Sequence, residues 1–163
     1  MLRPALLALC VVAATAGSAL SQSVRILGDH NAWSAYATSE SSGQICFVLS
    51  RPTATEPTPA GFTAAYFYIT HRPSEGVRSE VNLVSGYEFA PDSQATLSVG
   101  GQTFALFTSG DAAWLADPGQ TEAATQAIRA GSTMTIEGES AQGIRVRQTF
   151  SLSGATAASR AID

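Results

Sequence analysis

Histidine and cysteine each occur only twice in this chain, at His30 and His71 and at Cys10 and Cys46. A zinc centre takes three or four His, Cys or carboxylate ligands, commonly two of them close in sequence. Asp29-His30-Asn31 is the nearest approach to such a run, and it reads as a solvated turn. A cysteine nucleophile needs a histidine to activate it, which here means Cys46 with His71. Cys46 sits inside Ile45-Cys46-Phe47-Val48-Leu49, an apolar setting in which a thiol reads as a small buried hydrophobe. A serine nucleophile needs a sharp elbow between a strand and a helix. Gly138-Glu139-Ser140-Ala141-Gln142-Gly143 misses the elbow spacing by one residue and lies between two strand patterns, so it reads as a hairpin loop. Glu137 and Glu139 share a strand face; paired carboxylates cleave glycosides, but solvent-facing charges account for these two. No glycine-rich loop that would cradle a phosphate precedes a helix. The sequence therefore assigns no catalytic residue, no metal ligand and no cofactor.

Binding residues are easier to place. Tyr66 and Tyr68 alternate with Phe67 and Ile69, so a strand would put the two tyrosines on one face. An outward aromatic pair can stack on a sugar or meet a protein; the alternative is a strand covered on both faces. Trp114 is a third aromatic of this kind. Arg145 and Arg147 form a short basic stripe, with cross-strand pairing to Glu137 as the structural alternative. Tyr66, Tyr68, Trp114, Arg145 and Arg147 make up the candidate interaction surface.

Short strands separated by turn signals must carry these residues. Strands are expected at residues 33–37, 44–50, 62–70 and 80–84, with a loop rich in threonine and proline at 51–60. Leu97 and Val99, then Gly100-Gly101, then Phe104 and Leu106 spell a hairpin, since paired glycines supply the positive φ angles of a type I′ turn. Residues 112–115 form a further short strand. One helix follows, with Asp117 as cap, Pro118 in the first turn, Gln120 completing a capping box and Gly131 as terminator. Ala124, Ala127 and Ile128 share its apolar face. Met134 and Ile136, then Ile144, Val146, Gln148, Phe150 and Leu152, alternate in two closing strands, and the alanine-rich tail after Gly154 adds a helical turn. The pattern predicts an all-β antiparallel sandwich with one short helix before the last two strands.

The chain opens with Arg3, an uncharged apolar run from Leu6 to Ala16, and small residues with Ala19 and Ser21 at signal-peptidase spacing. That run is about half of a membrane span, so residues 1–21 read as a cleavable secretory signal. A lipoprotein signal would need a small residue before Cys10, where Leu9 stands. Residues 22–163 are then a single domain without a transmembrane segment, periplasmic or extracellular. The chain has no lysine; eight arginines remain after cleavage against thirteen acids, a net charge of −5 (8 − 13). Such an acidic chain suits neither nucleic acid nor an anionic membrane surface.

Several motifs then fall into a recognisable order: Trp33, Ile45-Cys46-Phe47, His71-Arg72-Pro73 and Val84-Ser85-Gly86-Tyr87 in the first half. Phe104, Ala113-Trp114, Ile128-Arg129-Ala130-Gly131-Ser132, Met134, Gly138-Glu139-Ser140, Gly143 and Ser151-Leu152-Ser153-Gly154 follow. Together they resemble the invasion-associated locus B family of exported bacterial proteins. The resemblance implies a β-rich envelope or periplasmic protein and brings no catalytic residue or cofactor. It also implies a second cysteine near the C-terminus in many members, whereas this chain ends Ser159-Arg160-Ala161-Ile162-Asp163, leaving Cys46 unpaired. The expected function is a non-enzymatic envelope protein that binds another macromolecule, a protein or a glycan. A carbohydrate- or small-ligand-binding module is the second reading and a hydrolase the third.

Overall fold

The computed structural model describes residues 23–163; the expected signal peptide lies outside them. Eleven strands run in the described residues: β1 Arg25–His30, β2 Trp33–Glu40, β3 Gly43–Ser50, β4 Ala54–Glu56, β5 Tyr66–Arg72, β6 Val77–Val84, β7 Gln94–Val99, β8 Gln102–Ser109, β9 Ala112–Leu115, β10 Thr133–Glu139 and β11 Arg145–Ser151. Helix α1, Thr121–Ala130, precedes β10, and α2, Ala155–Ile162, follows β11. All strand pairs are antiparallel, in the order β1-β2-β3-β5-β6-β9-β8-β7-β10-β11-β4.

This sheet folds over onto itself. Five strands separate β5 from β11 in the order, yet the rings of Phe67 and Phe150 lie 5.8 Å apart. The Trp33 indole N–H donates to the Ser151 carbonyl at 3.0 Å, and the Ala32 amide to the Ser153 carbonyl at 3.1 Å, so the start of β2 is tied to the end of β11. The result is the expected sandwich-like antiparallel fold. Period-two alternation fills it: Phe67 and Ile69, Leu97 and Val99, Met134 and Ile136, and Val146 and Phe150 all point into one core. Each such side chain contributes about 1.5–3 kcal/mol by leaving water.

The hairpin signal holds. Gly100 and Gly101 have φ of +57° and +79° between β7 and β8, as a type I′ turn requires. Helix α1 buries Ala124, Ala127 and Ile128 as its periodicity implies, but its entrance differs. Asp117 accepts from the Gly119 amide at 2.8 Å and caps a 3₁₀ turn over Pro118–Gln120. Gln120 makes no side-chain capping bond, so the capping box does not form.

Other differences lie at edges. β1 was not anticipated; only the β2 side pairs it, and its register breaks between Ile26 and Gly28, which blurs the alternation. β4 occupies the expected 51–60 loop, because Ala54–Glu56 borrow their ladder from β11. The strand expected from residue 62 is β5 and starts at Tyr66, since the Thr63 amide is taken by the Gly86 carbonyl at 2.8 Å. β6 starts three residues earlier, at Val77 rather than at 80. The tail forms an eight-residue helix in place of a turn, with Ala155, Ala158 and Ile162 buried.

Candidate functional site

The candidate aromatics lie on the outer face of the sheet, and cross-strand register places them in rows. Ile26, Tyr36, Phe47 and Thr70 are successive neighbours across β1, β2, β3 and β5. Leu49, Tyr68, Asn82, Trp114 and Phe107 continue a parallel row through β3, β5, β6, β9 and β8. Tyr36 and Phe47 stack with centroids 5.2 Å apart and planes 18° from parallel. Phe47 meets Tyr68 at 6.1 Å, and Tyr68 meets Tyr66 at 6.2 Å. The Arg51 guanidinium closes this run, 5.0 Å over the Tyr66 ring, a cation–π contact; it also donates to the Tyr66 hydroxyl at 3.3 Å. Burial, and then the neighbouring Tyr66, push the Tyr68 phenol above its ordinary pKa, against an opposing pull from Arg51. Further along, Phe107 stacks on Trp114 at 5.3 Å and 19°.

Thus Tyr66, Tyr68 and Trp114 share one outer face. Arg145 and Arg147 do not join them. β5 and β11 meet through Phe67 and Phe150 across the core, and the side chains on their other faces point to opposite sides. Arg147 Nε donates to Glu137 Oε1 at 2.8 Å, and Arg145 Nε lies 3.8 Å from Glu137 Oε2. The two arginines form the cross-strand pairing that was their structural alternative.

Three residues of the aromatic face escaped the sequence reading. Tyr36 alternates with Ala35 and Ala37, both buried, so the small inward partners hid an outward aromatic. Phe47 lies in a run apolar on both faces, a pattern that marks a central strand and does not single out an outward side. Phe107 is 46% exposed; extending the Phe104 and Leu106 alternation by one residue places it outward.

The reactive side chains are held in structural roles. His71 is buried, its Nδ1 accepts the Ser79 amide at 2.8 Å, and its Nε2 lies 3.4 Å from Asp163 Oδ1. The ring is therefore neutral with its proton on Nε2, and burial holds its pKa below the ordinary value against the opposing pull of Asp163. Cys46 stands opposite His71 in the β3–β5 register, and its sulfur accepts the Gln44 side-chain amide at 3.3 Å. With Nδ1 occupied, His71 has no lone pair to offer the thiol. Ser140 is fully buried, and its hydroxyl accepts the Ile144 amide at 3.2 Å. Among the described residues no group of three or more His, Cys, Asp or Glu side chains converges, and no helix is long and apolar enough to cross a membrane.

A family model described as Invasion associated locus B (IalB) protein matches residues 33–163. The chain belongs to the IalB family. Neither a curated protein nor a solved structure matches it. Several of the motifs by which the sequence resembles the IalB family are architectural in this member, whereas Phe47 and Trp114 lie on the outer face. Trp33 ties β2 to β11. The Ser85 hydroxyl donates to the Asp111 carbonyl at 2.9 Å, and the Ser85 carbonyl accepts the buried Gln148 amide at 2.8 Å. Gly86 has φ +76°, where a Cβ would come within 2.8 Å of the Thr63 carbonyl. At Gly154, φ is +93° and a Cβ would overlap the His30 carbonyl. Burial pushes the Tyr87 phenol up to about 12. These residues close the sandwich; the outer-face aromatics are free of such duty.

Proposed function

We propose that this IalB family member is an exported envelope protein that acts by binding a protein partner through the outer face of β2, β3 and β5. The observation that carries the reading is the run Tyr36, Phe47, Tyr68 and Tyr66, half-buried, with Arg51 at its end. Tyrosine and arginine are the side chains that dominate protein interfaces. The engaged Nδ1 of His71 and the buried, bonded hydroxyl of Ser140 favour binding over hydrolysis. The apolar run before Ser21 supports export to the periplasm or beyond.

A photoreactive residue at position 36 tests this in intact bacteria. It should yield a discrete adduct that disappears when Tyr66 and Tyr68 are both changed to Ala. An adduct unaffected by that double change, or formed equally well from position 147, overturns the reading.

A further inference from the structure

The outer face ends in a groove that the aromatic run does not explain. β9 is four residues long, and its ladder to β6 covers Asn82–Val84 alone. Past Leu115 the chain leaves the sheet through the 3₁₀ turn at Pro118–Gln120 into α1. Val77–Val81 of β6 are thereby left without a strand neighbour on that side, and a groove of about 760 Å³ opens along them. Its walls are mainly carbon, from Val77, Phe107, Trp114, Leu115 and Pro118. That size and lining are those of small-molecule sites. Phe107 is one of three large apolar side chains left exposed among the described residues, and it stacks on Trp114 inside the groove.

Two charged residues line the groove, Arg78 and Glu80. Glu80 is committed: its Oε2 accepts Arg72 at 2.7 Å. Arg78 makes no ion pair among the described residues. The uncompensated charge beside the apolar wall is thus positive. An added peptide strand is disfavoured. Ser79 has φ +58° at a register break, and its amide is spent on His71; such a bulge ends strand pairing.

We infer that this groove is a binding site for a small free anion with a flat apolar body, an aromatic or amphiphilic carboxylate or sulfonate. The ring system lies against Phe107 and Trp114, and the anionic group meets Arg78. The site is separate from the proposed partner face and does not depend on it.

Anilinonaphthalene sulfonate is the probe, with neutral N-phenylnaphthylamine as control, titrated into the folded mature chain. The sulfonate should bind one to one with blue-shifted emission. It should shift the indole N–H proton resonance of Trp114 and leave that of buried Trp33 in place. Arg78→Gln should weaken the sulfonate about tenfold, the order of one charge-assisted contact, and leave the neutral control unchanged. Phe107→Ser, at an exposed position, should weaken both probes. An unmoved Trp114 resonance in the unmodified chain overturns the site whatever the variants do. Equal loss of both probes in Arg78→Gln, or none of either, overturns the anion assignment.

Discussion

The two outer faces of this sandwich differ more than the two inner ones. Both halves send apolar side chains into one core, Phe67 from one and Phe150 from the other. Outside, β2, β3 and β5 carry Tyr36, Phe47, Leu49, Tyr66 and Tyr68, none of them fully buried. On β10 and β11 the outward residues are Thr133, Thr135, Glu137, Glu139, Arg145, Arg147, Thr149 and Ser151. The second face satisfies itself through Glu137 and its two arginines. The first has carbon surface and tyrosine hydroxyls to spare. Folding asks the same of both halves, so an outer face that keeps aromatics without burying them marks the side on which a partner is to be sought.

The comparison can be broken at several points. Phe150→Ala removes the ring that joins the halves and should cost about 3–5 kcal/mol, read as a lower denaturant midpoint. A loss under about 1 kcal/mol would mean that the halves do not share a core. Next in size, a double-mutant cycle on Tyr36 and Phe47 should give a coupling of about 0.5–1.5 kcal/mol. Zero coupling would reduce the stacked row to independent surface residues.

A smaller effect has a definite sign. His71, beneath the aromatic face, has its pKa held below the ordinary 6.5 by burial. The unfolded chain therefore binds this proton first, and stability must fall as pH drops below about 6.5 toward the native value. Thermal midpoints across that range should decline in the parent and decline less in His71→Gln. Parallel curves would show that His71 does not contribute. Smallest of all, Glu137→Gln on the charged face should cost about 0–1 kcal/mol, and less at high salt. A salt-independent loss of several kcal/mol would mean that this face is not merely a solvated ion pair.

Much of this was legible from local pattern. The Gly100-Gly101 hairpin, the apolar face of α1 and the alternation of β10 and β11 each follow from neighbours a few residues away. That Tyr66 and Tyr68 share one strand face was legible for the same reason. β1 and β4 were not, because an edge strand takes its bonds from one partner and needs no alternation of its own. The length of α2 was equally hidden: alanines acquire a buried face only when a sheet lies against them.

Local spacing thus settled which side chains of a recognised strand share a face, since the two-residue period of a strand is a property of the backbone alone. It could not settle which outward residues become neighbours. Tyr68 and Trp114 are 46 positions apart (114 − 68), and they share a row because β6 lies between β5 and β9. Arg145 and Arg147 are no less outward, and the folding of the sheet over its own core carries them to the opposite side. Neighbourhood across strands depends on register and on long-range pairing, which are decided when the whole chain buries its apolar face at once.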